Sequence, residues 1–232
     1  MESRFLSQDE IKTRWIAQAQ QERAIAVIRT ADVRVGLNLA KAVALGGMRL
    51  IEITWNSDQP ALQIEMIRTS LPHCIIGAGT LLNSSHIQEA IASGAEFLFT
   101  PHVDPALIHL SLDGGVPIIP GALSPTEIVT AWQAGAASVK VFPIQAVGGA
   151  SYIRSLQGPL GHIPLIPTGG VTPQNAKDFL TAGAIAIGLS GQLFPAEAIA
   201  TGNWELVTQQ ARRLMEGLKE SGVRSQESRG DE

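Results

Sequence analysis

The chain has 232 residues, 45% hydrophobic and 16% charged, with a formal net charge of −4. That balance supports a substantial folded core rather than a disordered chain, and its acidity supplies no basic footprint for nucleic acid. A single cysteine, Cys74, excludes an intrachain disulfide framework and a metal site built from several cysteines.

Cys74 is expected to be a small buried apolar residue ahead of a strand. The opening segment MESRFLSQDEIKTRW carries acids and no apolar h-region, so no secretory signal is expected. No apolar run approaches the ~20 residues of a membrane span. A cytoplasmic protein with no membrane contact is the expectation.

In chain order, residues 8–22 are expected to form an extra N-terminal helix, with Ile11, Trp15 and Ala19 on one stripe covering the bottom of a barrel. Eight short apolar runs follow: Ala24–Arg29, Leu50–Thr54, Ile75–Thr80, Phe97–Pro101, Pro117–Gly121, Ser138–Pro143, Pro164–Gly170 and Ala184–Ser190. Their starts recur every 20–26 residues, the length of one compact strand–helix unit. Runs this apolar predict parallel strands covered on both faces. Between them, Gly-containing stops follow Leu45, Ser93, Ala134 and Thr181, where glycine takes the left-handed turn past a helix end. Ser124-Pro125-Thr126-Glu127 and Thr172-Pro173 mark helix starts. Eight such units predict an α/β fold, a (β/α)₈ TIM barrel with an extra N-terminal helix, occupying residues 1–218 as one domain. The tail 219–232 shows no apolar periodicity and is expected to lack structure.

Two charges stand inside these apolar runs. Lys140 lies between Val139 and Val141, and Glu52 between Ile51 and Ile53. Strand alternation groups Lys140 with Ser138 and Phe142, and Glu52 with Leu50 and Thr54. Both sets should face the barrel interior near its catalytic mouth. The pair reads either as a structural ion pair, which contributes little net stability, or as machinery. In the second case burial lowers the lysine pKa, the neutral amine attacks a ketone to give an imine, and the carboxylate moves protons.

Glycines mark the last two strand ends. Pro167-Thr168-Gly169-Gly170 closes the seventh strand and Gly188-Leu189-Ser190-Gly191 the eighth, where barrels often bind phosphate through backbone N–H groups. Each is otherwise an ordinary tight turn. Thr80 should reach the mouth from the third strand. Arg29, at the end of the first, is either a solvated rim charge or an anion ligand. His102, just past the fourth strand, is a weaker candidate for substrate contact. The histidines show no metal-ligand spacing, and no metal or cofactor is expected.

The order and spacing of I-E-I-T at Glu52, G-A-G-T at Thr80, T-P-H at Pro101, I-P-G at Gly121, V-K-V-F-P at Lys140 and P-T-G-G at Gly169 resemble the 2-keto-3-deoxy-6-phosphogluconate (KDPG) / 4-hydroxy-2-oxoglutarate (KHG) aldolase family, class I pyruvate aldolases. The resemblance spans about Ala24 to Met215. It implies Lys140 as the Schiff-base lysine and Glu52 as acid/base, with Thr80 on the pyruvyl carboxylate and Phe142 and Pro101 lining the pocket. Gly169, Gly170 and Ser190 would bind phosphate; Gly188 is expected to share that site, and Thr54 and Thr168 to be further substrate contacts. It also implies a metal-independent homotrimer. Where many members carry T-L-R-T, this chain has Thr54-Trp55-Asn56-Ser57. Arg29, in a V-I-R segment similar to the V-L-R of other members, is expected to replace the missing cation. G-L-S-G likewise departs from a common double glycine.

The reaction implied is retro-aldol cleavage to pyruvate and an aldehyde. Oxaloacetate decarboxylation through the same enamine is the alternative. A phosphate-binding barrel isomerase or synthase without an imine, and a non-catalytic ligand-binding barrel, complete the readings.

Overall fold

The computed structural model describes residues 7–227, with side chains through Lys219. The expectations for the first six residues and for 228–232 lie outside the described residues.

The chain opens with α1 (Gln8–Glu22), started by a capping box in which Ser7 and Glu10 satisfy each other's backbone N–H groups. The strands are β1 (Ala24–Ile28), β2 (Leu50–Thr54), β3 (Ile75–Gly79), β4 (Leu98–Phe99), β5 (Ile118–Ile119), β6 (Gly121–Ala122), β7 (Val139–Val141), β8 (Leu165–Pro167) and β9 (Ile187–Leu189). The helices between them are α2 (Val33–Leu45), α3 (Pro60–Ser70), α4 (Ser84–Ala92), α5 (Pro105–Asp113), α6 (Pro125–Gln133), α7 (Ala150–Leu160) and α8 (Ala176–Thr181). Two more, α9 (Ala196–Thr201) and α10 (Trp204–Glu227), end the described chain.

All strand pairs are parallel, in the orders β5-β4-β3-β2-β1-β9 and β6-β7-β8. Two seams close these sheets into one barrel. Thr168 bridges Gly188 and Ile185 N–H donates to Leu165 O (3.0 Å), joining β8 to β9. At the other seam Ala137 N–H donates to Ile118 O (3.0 Å). The fifth of the eight expected strands is thus written as two pieces, split at Pro120, which has no N–H for the ladder. Its carbonyl still accepts from Lys140 N–H (2.9 Å).

Side chains sort by strand alternation. Ala26, Ile28, Ile51, Ile53, Ile76, Ala78, Val139 and Val141 point outward into one apolar shell beneath the helices. Ile25, Val27, Leu50, Phe97, Phe99, Ile119 and Ile166 fill the interior together with Trp15 and Ala19 of α1. The N-terminal helix therefore lies across the barrel bottom, with Ile11, Trp15 and Ala19 buried.

The helix stops also match their glycines, with φ of 86 to 106° at Gly47, Gly94, Gly135 and Gly183. The Ser124–Glu127 capping box starts α6. Thr172-Pro173 opens a turn instead of a helix. Thr172 and Asn175 exchange side chain–backbone hydrogen bonds across it (2.7 and 3.2 Å), delaying α8 to Ala176.

At the other end, α10 continues to Glu227, so the backbone of 219–227 is helical where the sequence reading stops the domain at Leu218. Lys219, Glu220, Arg224, Gln226 and Glu227 are adequate helix formers, and the helix propagates without the apolar stripe on which the expectation relied. No helix of the described residues is long and apolar enough to cross a membrane.

The helix α10 packs on α2, burying Val207, Ala211, Leu214, Met215 and Leu218. Thr208 Oγ1 donates to Ala42 O across the joint (3.1 Å). Contact is so close that a β-carbon at Gly46 would overlap the Ala211 methyl. Gly46→Ala should therefore destabilise the fold by about 1–3 kcal/mol through overpacking, outweighing alanine's better helix propensity of ~1 kcal/mol. A lower urea midpoint with an unchanged m-value is the expected result.

Candidate active site

At the C-terminal mouth the strand ends enclose a cleft of about 710 Å³. All twelve site residues named from the sequence line it: Arg29, Glu52, Thr54, Thr80, Pro101, Lys140, Phe142, Thr168, Gly169, Gly170, Gly188 and Ser190. His102 and Asn56 are not among the lining residues.

Lys140 is 5% exposed and Glu52 2%, on facing parts of the interior. Lys140 Nζ sits 4.6 Å from the Phe142 ring centroid and 5.6 Å from that of Phe99. Burial is the largest influence on the amine and pushes its pKa down; Arg29 adds to this and Glu52 opposes it. Burial likewise pushes the Glu52 carboxyl up, against the attraction of Lys140 and Arg29. Burial thus moves both groups toward their neutral forms.

Glu52 Oε1 is buried with no hydrogen-bond partner, and no contact ion pair joins it to Lys140 among the described residues. That weakens the reading of a structural salt bridge, whose buried charges need closely matched partners. The carboxylate owes its space to β3: a β-carbon at Gly79 would fall on Glu52 Oε1.

Around this pair the loops are locked. Thr80 has φ 60°, a left-handed conformation costing a β-branched residue about 1–3 kcal/mol. At the end of β8, Gly169 and Gly170 have φ of 82 and 96°, which other residues enter only with strain. The carbonyls of Thr168 and Gly169 turn toward the loop after β7, accepting from Ile144 N–H (3.0 Å) and Gln145 N–H (3.1 Å). Asn175 Nδ2 donates to Gly170 O (3.0 Å). The carbonyls are thereby held, while the N–H groups of Gly169, Gly170 and Val171 meet no protein acceptor among the described residues.

The sequence model of the family described as KDPG and KHG aldolase matches residues 16–210. The chain belongs to the KDPG/KHG aldolase family. Aldolases are carbon–carbon lyases, and this chain is one. The KHG/KDPG aldolase of Escherichia coli (strain K12) is 31% identical over 84% of this chain and 92% of its own. Among solved structures, a KDPG aldolase from Legionella pneumophila, with pyruvate captured at low pH as a covalent carbinolamine intermediate, has TM-score 0.80 and 27% identity, covering 86% of this chain and 97% of its own. A native KDPGal structure has TM-score 0.79 and 30% identity, over 86% and 96%.

Set against the KDPG/KHG aldolase resemblance, the cleft contains residues the sequence reading missed. Gln145, Asn175 and Gln192 line it; the Thr172-x-x-Asn175 spacing of a side-chain-closed turn could have flagged Asn175. Ser57 was missed as well. Its Oγ pairs with Thr54 Oγ1 (3.2 Å) and accepts from Thr30 N–H (3.2 Å), while Asp58 N–H donates to Thr30 O (2.9 Å). These bonds fasten the loop after β1, which carries Arg29, to the loop after β2. Cys74 is buried outside the cleft, with its thiol pushed up to about 11 chiefly by burial.

Keeping two ionisable groups dry costs stability. Replacing both by apolar residues, Glu52→Leu with Lys140→Met, should stabilise the KDPG/KHG aldolase fold by about 1–4 kcal/mol at neutral pH and abolish turnover. Neutral Glu52 contributes stability that is complete below its ordinary value of 4.5 and is lost as pH rises through the raised one. The glutamate's share of the gain therefore vanishes below that ordinary value. Urea titrations of both proteins across pH would check this.

Proposed function

We propose that the chain is a Schiff-base aldolase that cleaves KDPG to pyruvate and glyceraldehyde 3-phosphate, KHG to pyruvate and glyoxylate, or both. The observation that carries the reading is a dry lysine facing a dry carboxylate at a barrel mouth. The carbinolamine captured in the Legionella KDPG aldolase supports it.

The neutral Lys140 amine attacks the C2 ketone; the protonated Glu52 carboxyl gives its proton to the carbinolamine hydroxyl, which leaves as water, so the imine is protonated and Glu52 becomes a carboxylate. Glu52 takes the proton of the C4 hydroxyl as the C3–C4 bond breaks. The bond's electron pair moves into the iminium to form an enamine, and the aldehyde leaves. Glu52 returns its proton to C3, and hydrolysis of the imine releases pyruvate and regenerates Lys140. Arg29 holds the keto-acid carboxylate in place of the cation absent at Asn56. Thr54, Thr80, Pro101, Phe142 and Thr168 shape the pyruvyl pocket. The free N–H groups at Gly169 and Gly170, with Gly188 and Ser190, face the aldehyde's phosphate.

A second reading keeps the imine and changes the bond. Among the described residues, the charged ones lining the cleft are Arg29, Glu52 and Lys140; with Arg29 on the carboxylate and Lys140 in the imine, a phosphate would meet neutral donors. Oxaloacetate needs no such grip, and loss of carbon dioxide from its Lys140 imine yields the same enamine.

Incubation with pyruvate and borohydride should add one reduced adduct, mapped to Lys140; no adduct would return the chain to an imine-less reading. Turnover of KDPG, KHG and oxaloacetate then ranks the substrates, and decarboxylation outrunning both cleavages would select the second reading. Arg29→Ala should weaken pyruvate trapping by about tenfold, the scale of one charge-assisted hydrogen bond. Unchanged pyruvate affinity would remove Arg29 from the carboxylate site.

A further inference from the structure

At the other end of the barrel a column of rings rises from α1 to the lysine. Trp15 is 1% exposed, and its Nε1–H donates to the buried Ser138 Oγ at 2.8 Å. Ser138 stands two residues before Lys140, on the same face of the strand run. The Trp15 ring centroid lies 5.0 Å from that of Phe97 and 6.2 Å from that of Phe99. Phe97 and Phe99 meet edge to face at 5.7 Å, and Phe99 is the ring 5.6 Å from Lys140 Nζ. Outside this column a cleft of about 320 Å³, walled partly by Arg14, Gln18, Arg68 and Glu96, reaches Trp15 from below.

We infer that Trp15 is a positioning residue that closes the barrel floor beneath Lys140, barring water from the lower cleft and anchoring the strand run through Ser138. The functional consequence rests on Lys140 being the imine lysine.

The charged groups acting on Lys140 are Glu52 on β2 and Arg29 after β1. Its register partners, Gly121 on β6 and Ile166 on β8, are uncharged, as are Phe99 and Phe142. Arg14, Arg68 and Glu96 face the far side of Trp15, and Arg68 and Glu96 pair with each other at 3.7 Å. Burial outweighs these charges in depressing the amine. Water admitted from below would make the amine more basic, so imine formation would need a higher pH.

The test is the pH dependence of pyruvate trapping by borohydride, with folding followed by circular dichroism. In Trp15→Ala the midpoint should move up by about one pH unit, leaving roughly tenfold slower trapping on the acid side and near-normal trapping at high pH. Trp15→Phe, which keeps a ring in the floor, should stay close to the wild-type midpoint. If the alanine variant does not fold, Trp15→Leu takes its place and should shift in the same direction by less. A folded alanine or leucine variant with an unmoved midpoint overturns the inference, as does a phenylalanine variant that moves as far. No adduct in the wild type would instead end the imine reading, so the two failures are distinct.

Discussion

Removing Lys140 and Glu52 from water is the constraint around which this barrel is arranged. An ammonium or carboxylate in an apolar interior carries a penalty of several kcal/mol even after relaxation. The least costly response is neutralisation, the direction in which burial pushes both groups. The fold stays stable because the unfavourable pair occupies one level of an otherwise apolar interior, with a continuous apolar shell outside it. The same penalty moves the amine toward the neutral form that can act as a nucleophile and the carboxyl toward the form that can donate a proton, which is what the proposed reaction needs of them.

The walls then have to provide room as well as dryness. Gly79 leaves space for the Glu52 carboxylate, and Gly121, Lys140's register partner, lies where a β-carbon would meet the backbone of Pro101. Large rings fill what the glycines leave open: Phe97 and Phe99 below the lysine and Phe142 beside it. A glycine opposite a long side chain and an aromatic ring opposite a short one keep the interior close-packed while fixing where the two reactive groups stand. The strained backbone at Thr80 sits one residue past Gly79, where a rigid scaffold can hold it.

The residues that sequence reading placed well announce themselves locally. A charge flanked by branched apolar residues breaks the pattern of its own strand, and alternation then tells which neighbours share its face. The features it missed depend on distant partners. Trp15 and Ser138 are separated by 123 residues, so the tryptophan read only as part of a helix stripe. The break at Pro120 was visible as a proline, yet its effect on the ladder depends on Lys140 N–H one strand away. Thr172-Pro173 carries the composition of a helix start, and only the side-chain exchange with Asn175 makes it a turn. The tail failed differently: absence of an apolar stripe predicts absence of packing, which does not prevent a helix already nucleated by α10 from running on.

The proposed move of the carboxylate anchor to Arg29 is compatible with barrel geometry. Val27 on β1 registers with Glu52 on β2, and Ile28 with Ile53, so continuing the register brings Arg29 level with Thr54. Adjacent strands are about 4.8 Å apart, well within the reach of an arginine side chain. A guanidinium leaving the end of β1 therefore covers the same sector of the mouth as one leaving the turn after β2. Asn56 lies exposed outside the cleft lining while Arg29 lines it, and the bonds from Ser57 and Asp58 to Thr30 hold the two loops in step. The position of the charge around the rim matters more than its position in the chain. Under the proposed assignment, an anchor at Arg29 would serve from the neighbouring strand end while the lysine and glutamate below keep their places.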